Sequence, residues 1–364
     1  MLIGVPKEIK ESEKRVSITP YSVNQIVRAG HQVIVESGAG EGSFFADKQY
    51  RAAGAGIVKT ADEAWNADMV VKVKEPMKSE FKYFKKGKLL FTYLHLASSK
   101  KLAEALLSSG ITAFAYETVV KDGKLPLLAP MSEIAGKIAS LVGFFYLSEP
   151  FGGNGVLPSG VPGVLPAKVL VIGAGVVGQN AALVAKGVGA DVTIADIDTD
   201  KLKTMEEFGL KTIYAHPLAV ANAAKLSDLV VGAVLVPGGS APKIITKEMI
   251  MDMKEGSVIV DVAIDQGGCT ETSRPTTHLN PVFKTGGVTQ YCVTNMPAAY
   301  AATATEALSN ATYDYIIKIA DGWKKSLQDD EGLMAGLNIH DGKITHSEVA
   351  KSLNLPYVYL YDII

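Results

Sequence analysis

The sequence predicts an α/β protein of two Rossmann-like doubly wound domains, the second inserted into a discontinuous first. Three observations predict it. Short apolar runs without alternation recur between helical patterns along the first 128 residues, which is how a parallel sheet with crossover connections reads. The stretch 167–196, AKVLVIGAGVVGQNAALVAKGVGADVTIAD, orders an apolar run, a glycine turn, an Ala/Val-rich helical pattern and a second apolar run ending in an acid. A dinucleotide-binding βαβ unit requires that order. Finally, a helical pattern over 298–325 follows Pro297 and is too long to belong wholly to the second sheet. It is expected to return the chain to the first domain, so that 1–128 and 305–364 form one domain, for substrate, around an inserted dinucleotide domain, 129–304.

The first domain should carry strands over 2–5, 33–35, 69–73, 89–91 and 111–115, with helices near 22–29 and 100–108. Pro126 and Pro130 bound a loop, after which Ser132 is expected to N-cap a helix over 133–147 whose Ile134, Ile138, Leu141, Val142 and Phe145 form one apolar face. The Gly/Pro-rich stretch 149–166 reads as an irregular loop entering the second domain. Beyond residue 196 the rhythm continues with strands over 212–214, 229–236 and 257–262, helices near 218–225 and 247–253, and a last strand over 288–293. The result is a sheet of about six strands, with ligands expected outside its carboxyl ends.

Composition narrows the function. A net charge of −2 gives no general attraction to nucleic acid or to an anionic membrane. Two cysteines, Cys269 and Cys292, are too few for a disulfide framework and suit a reducing compartment. The N-terminus turns charged within seven residues, unlike a signal peptide, and no apolar run reaches the ~18–20 residues of a membrane span. The expectation is a cytoplasmic enzyme with small-molecule substrates.

Within the glycine turn, Gly173 permits the tight bend, Gly175 lets the backbone approach a pyrophosphate and Gly178 lets the helix pack on the strand. Asp196 would accept from a ribose 2′-hydroxyl and repel a 2′-phosphate, which predicts NAD over NADP. The plain alternative is a surface glycine loop. Outside it, Lys72 and Lys74 alternate with apolar residues, either as strand-end cations or as lysines guarding an edge strand. His95 ends an apolar run, as a packed or capping residue or as a proton carrier. Asp265 precedes Gly267 and Gly268 at a strand end, as an Asx-turn acid or a site acid, beside Cys269, a packed residue or a site-adjacent thiol. The histidines show no HxH or HExxH spacing, and no metal is expected.

Nine ordered blocks carry a resemblance: GVPKEIK at 4–10, RVSITP at 15–20, ESGAGEGS at 36–43, VVKVKEP at 70–76, TYLHLA at 92–97, AYET at 115–118, PMSEIAG at 130–136, VIVDVAIDQGG at 258–268 and RPTTH at 274–278. By these the chain resembles the family of alanine dehydrogenases and transhydrogenase NAD-binding subunits along nearly its whole length. The resemblance implies reversible NAD-dependent deamination of L-alanine to pyruvate and ammonium, with no metal, in a homohexamer. It implies that Arg15 and Lys74 bind the substrate carboxylate and carbonyl, that His95 and Asp265 form an acid/base pair, and that Tyr93, Glu117 and Met131 line a small pocket. Asn295 and Met296 would complete the site from a hinge, with closure about residues near 128 and 300. Ser132, Gly175, Val176, Asp196, Ile197, Lys201 and Leu235 would hold NAD together with the glycine turn. Two departures stand out. Residues 298–305 read AAYAATAT, including Ala301 and Ala302, where the family usually has a basic residue within Pro-Arg/Lys-Thr-Ser-Thr, and Gln290 stands where histidine is common. Rival readings are the transhydrogenase subunit itself and an opine or saccharopine-type dehydrogenase.

Overall fold

Strand order explains most of the architecture. The computed structural model describes residues 1–234 and 241–362. Six strands come first, β1 (Leu2–Val5), β2 (Gln32–Glu36), β3 (Gly56–Val58), β4 (Met69–Val71), β5 (Leu89–Thr92) and β6 (Thr112–Ala115). Seven follow, β7 (Lys168–Ile172), β8 (Asp191–Asp196), β9 (Lys211–Tyr214), β10 (Leu229–Gly232), β11 (Val258–Asp261), β12 (Val282–Thr285) and β13 (Val288–Tyr291). Two more, β14 (Leu337–His340) and β15 (Lys343–Ile344), lie near the C-terminus. The chain divides into two compact units, Met1–Met131 with Tyr300–Ile364, and Ser132–Ala299.

The first unit holds an eight-stranded sheet ordered β15-β14-β6-β5-β4-β1-β2-β3. β1 to β6 pair in parallel, while β14 adds antiparallel to β6 and β15 to β14. The order 3-2-1-4-5-6 reverses direction between β1 and β4, and that is where ligands bind in open α/β sheets. Two expectations change here. β3, β14 and β15 were not anticipated, because each is short and β14 joins a sheet formed some 220 residues earlier. β4 ends at Val71, two residues before the expected end, and lies between β1 and β5 in the sheet interior. This overturns the edge-strand reading of Lys72 and Lys74: both follow a central strand, at its carboxyl end.

Helix Pro20–Arg28 starts where proline belongs, with Thr19 as N-cap accepting from the Ser22 N–H. Helix Ala301–Asp329 docks on this region through hydroxyls. Ser309 Oγ lies 2.7 Å from Ser22 Oγ and accepts the Thr19 N–H at 2.9 Å, and Thr305 Oγ1 accepts the Val16 N–H at 3.1 Å. The C-terminal segment thus shares the core of the N-terminal one. Pro297 does not open this helix, however; it sits in a preceding 3-10 turn, Met296–Tyr300, and the helix kinks at Gly322, where the backbone leaves the helical region.

The second unit holds a seven-stranded sheet ordered β12-β13-β11-β10-β7-β8-β9, parallel except for the β12-β13 pair. Its switch point lies between β7 and β10. β12 was not expected, and the strand expected over 229–236 ends at Gly232. The helix expected from Glu133 begins at Ala129, with Pro130 in its first turn, where a missing N–H costs nothing, so Ser132 lies inside the helix and caps nothing. Its apolar face also differs: Ile134 and Ile138 are buried, but Leu141 and Phe145 are 46% and 50% exposed. The buried line is instead rich in small residues. Gly136 lies so close to helix Val176–Val188 that a Cβ there would sit 2.2 Å from the Val177 carbonyl oxygen, and Ser140 Oγ donates to the Ala181 carbonyl. Close backbone approach, and not bulk, selects those residues.

Candidate active site

At the switch point of the first unit the carboxyl ends of β1, β4, β5 and β6 bring charges together. The segment after β1 supplies Glu8, Lys10, Glu13 and Arg15; β4 is followed by Lys72, Lys74 and Glu75; β5 by Tyr93 and His95; and β6 by Glu117. Lys72 is 1% exposed, and its Nζ lies 3.1 Å from Glu8 Oε2 and 3.0 Å from Glu80 Oε1. The other Glu8 oxygen accepts the Val73 N–H at 2.7 Å. Burial of a lysine demands such partners. Lys72 is therefore a structural cation that ties β4 to the loop after β1.

Lys74 is buried beside Glu75, with Nζ 3.4 Å from Oε2, and Glu75 Oε1 accepts from Lys10 Nζ at 2.5 Å. Burial alone would raise the Glu75 pKa, but the two ammonium groups outweigh it and hold the carboxyl at about 2. Arg15, also buried, is gripped through Nε and Nη2 by the two oxygens of Glu13 at 2.7 and 2.6 Å, while Nη1 lies 3.1 Å from Met131 Sδ. The guanidinium is thereby fixed in orientation before any anion reaches it. Tyr93 is buried, its hydroxyl donating to the Leu127 carbonyl at 2.5 Å, and burial pushes its pKa up. Its ring lies parallel to the His95 imidazole, with centroids 5.8 Å apart and planes 9° apart.

His95 keeps 39% of its side chain accessible. Its pKa is pulled well below the ordinary value, first by desolvation and then by the Lys74 ammonium, with Glu75 acting in the opposite sense. The ring is neutral at neutral pH. Glu117, expected to line a pocket, turns its carboxylate to the backbone of Leu94 and His95.

In the second unit the glycine turn follows β7 at the switch point. Gly173 adopts φ +100°, and a Cβ there would sit 2.6 Å from the Ala233 carbonyl oxygen; a Cβ on Gly178 would be 1.7 Å from that of Gly173. Protein packing thus requires both glycines. Among the described residues a Cβ on Gly175 would meet nothing within 4 Å. None of these residues demands that glycine, while a phosphate approaching the start of helix Val176–Val188 would. Asp196 ends β8, and its carboxylate accepts the Ala174 N–H at 2.5 Å and the Asp198 N–H at 2.9 Å. Val176 and Ile197 are exposed, and Lys201 pairs with Asp198 at 3.1 Å. Ser132 is half-buried, Asn295 takes the left-handed conformation at φ 59° and Met296 is buried. Leu235 lies outside the described residues.

Asp265 is exposed on a 3-10 turn, Val262–Gln266, after β11. The acid that organises this loop is Asp261, whose oxygens accept the Ala263, Cys269 and Thr270 N–H groups and the Ser273 hydroxyl. Asp261 makes an Asx turn here, its Oδ1 accepting the Ala263 N–H. Cys269 is fully buried with a raised pKa, caused first by desolvation, and is a packed residue. Gln290 is buried, its carbonyl accepting from Thr272 Oγ1 at 2.9 Å.

The family model "Alanine dehydrogenase/PNT, N-terminal domain" matches residues 4–135, and the corresponding C-terminal domain model matches 139–347. The chain belongs to this family. It is 52% identical over 363 residues to the alanine dehydrogenase of Mycolicibacterium smegmatis, with 98% of each chain covered. A solved L-alanine dehydrogenase superposes with a TM-score of 0.93 at 47% identity, covering 97% of this chain and 99% of that one. A transhydrogenase from Sinorhizobium meliloti superposes with a TM-score of 0.82 at 27% identity, covering 95% and 99%.

Sequence reasoning singled out the cations but missed their partners, Glu8, Glu13, Glu75 and Glu80. Glu8 and Glu13 sit in the charged run KEIKESEKR, which reads as solvated surface. A usable signal was there: a lysine next to a central strand must be buried, and a buried lysine needs a carboxylate.

Proposed function

We propose that the protein is an NAD-dependent L-alanine dehydrogenase that interconverts L-alanine with pyruvate and ammonium. The observation that carries this is one cluster in the first unit: two buried cations, Arg15 and Lys74, beside a neutral imidazole, His95. An α-carboxylate is met by the oriented guanidinium of Arg15. The Lys74 ammonium polarises the carbonyl or imine, and Met131, against the Arg15 guanidinium, and Tyr93, stacked on His95, would line the place of the substrate side chain.

The second unit fits NAD: Gly175 is unconstrained by contact with the described residues, and Asp196 places a carboxylate at the end of β8. Gly173, Gly175, Val176, Gly178, Asp196, Ile197, Lys201, Ser132, Asn295 and Met296 would hold it. When bound, NAD supplies the hydride acceptor at its nicotinamide C4. The imine left on the substrate is then attacked by water. His95, held neutral and so free to accept, takes the water proton, and ammonia leaves as the carbinolamine collapses. Asp265 is the second proton carrier of this reading.

Direct hydride exchange between nucleotides has no use for a proton carrier, which separates this reading from the transhydrogenase one. Steady-state oxidation of NADH with pyruvate and ammonium tests it: turnover with both, and none without ammonium, is expected. Transfer to an NADP analogue without such turnover would replace it, and faster turnover with lysine or ornithine than with ammonium would make the enzyme an opine-type dehydrogenase. A homohexamer working in the cytoplasm, in alanine catabolism, completes the proposal, and sedimentation equilibrium checks the assembly.

A further inference from the structure

We infer that Glu117 acts on the reaction through His95, as a residue that positions the imidazole and not as one that touches substrate. The inference rests on the role proposed above for His95. His95 adopts φ 46° and ψ 41°, a left-handed conformation that a side chain with a Cβ seldom takes. It stands between β5 and the 3-10 turn Leu96–Ser98, and its side chain caps nothing there. Ser98 donates to the His95 carbonyl through its N–H and its hydroxyl, and the N–H groups of the turn are held by one carboxylate. Glu117 Oε1 accepts the His95 N–H at 2.6 Å, and both oxygens lie 3.2 Å from the Leu94 N. Two consecutive N–H groups aimed at one anion form a nest, a geometry with a strong directional demand.

Glu117 comes from the 3-10 turn Tyr116–Thr118 that follows β6. β5 and β6 are paired in parallel through Thr92 and Ala115, so the carboxylate and the His95 backbone leave the sheet side by side. Oε1 lies 4.0 Å from His95 Nδ1, beyond hydrogen-bond length, so the grip is on the backbone and not on the ring. On its other side the ring packs on Tyr93. The ring's orientation is thus set from both ends, by the nest and by the stack. The charged groups acting on the imidazole are Lys74, Glu75, Lys10 and Arg15, and those acting on Glu117 include Lys74. Burial raises the Glu117 pKa, and the Leu94 and His95 N–H groups counter this by holding the carboxylate form.

The test is a double-mutant cycle in the full-length protein with pyruvate, ammonium and NADH. Glu117→Ala should lower kcat about 10- to 100-fold, leave the KM for pyruvate within about threefold and leave NADH affinity unchanged. Glu117→Gln keeps one carbonyl acceptor and should retain more kcat than Glu117→Ala; it carries the test if the alanine variant does not fold. On a His95→Ala background the same changes should have no further effect on kcat, because a residue acting solely through His95 has nothing left to position. A KM for pyruvate that rises more than tenfold with kcat kept would make Glu117 a substrate contact and overturn the inference. So would a loss of kcat that multiplies with that of His95→Ala. Absence of turnover in the unmodified protein would defeat the proposed function instead, so the two failures are distinct.

Discussion

His95 shows how much one residue depends on neighbours that its own sequence position does not reveal. Its imidazole is neutral because desolvation and the Lys74 ammonium oppose its charge. Replacing it with alanine should lower kcat by about 10²–10⁴-fold with NADH affinity nearly intact; a steady-state assay with parallel NADH titration checks this, and an unchanged kcat returns His95 to packing. Asp196 combines two roles, accepting backbone N–H groups of the glycine turn and presenting a carboxylate at the end of β8. Asp196→Ala should lower the ratio of kcat/KM for NAD to that for NADP, since repulsion of a 2′-phosphate is lost; an unaltered ratio places selectivity elsewhere. Glu75 makes a pH prediction. Its folded pKa, about 2, lies below its ordinary 4.5, so it contributes stability that is fully present above pH 4.5 and lost as pH falls towards 2. Glu75→Gln should therefore lower Tm at neutral pH and flatten the fall of Tm between pH 4.5 and 2, as read by thermal unfolding across that range.

Elements in this molecule are shaped by close approach as much as by hydrophobic periodicity. The helix Ala129–Leu147 turns Gly136, Ala139, Ser140 and Gly143 inward and leaves Leu141 and Phe145 accessible. A search for large apolar residues at helical spacing finds the wrong face, because contact between helix backbones is bought with small side chains. The glycine turn obeys the same geometry. At Gly178 an added Cβ would fall 1.7 Å from the Gly173 carbonyl oxygen, with strand and helix both fixed by their own hydrogen bonds. Gly178→Ala should destabilise the protein by about 3 kcal/mol or more, measured as a shift of the denaturation midpoint. Gly175→Ala should leave that midpoint nearly unchanged while weakening NADH binding, since no atom of the described residues lies in the way.

At the scale of the whole molecule, each unit orders its first five strands 3-2-1-4-5 with its own switch point, and each has an apolar core of its own. The first unit is assembled from both ends of the chain: β14 pairs with β6, and helix Ala301–Asp329 bonds to residues 16–22 through Thr305 and Ser309. The second is continuous. Residues 129–299 expressed alone should unfold in one cooperative transition and bind NADH without any turnover, whereas residues 1–131 alone lack two strands of their sheet and should not fold stably. Circular dichroism and NADH fluorescence check both; a 129–299 fragment that folds without binding NADH would show that the first unit is needed to hold the cofactor.

Unbroken apolar runs between helical patterns, the glycine turn with Asp196, and the strand-end positions of Lys74 and His95 were legible in the sequence, because a βαβ unit is built from residues near one another in the chain and its turn demands particular residue types. The short strands β3, β14 and β15 were not legible, since their strand character comes from the neighbours that receive them. Nor were the partners of the buried charges. Lys72 reads equally well as the guard of an edge strand until the sheet order places β4 between β1 and β5, and Glu8, sixty-four residues away, reads as surface until it meets Lys72 at 3.1 Å. Sequence determined which chemical groups this protein owns and on which elements they ride. Tertiary structure alone decided which charges are buried and what each one holds, because burial and pairing depend on strand order across the whole sheet, and no local stretch of chain contains that order.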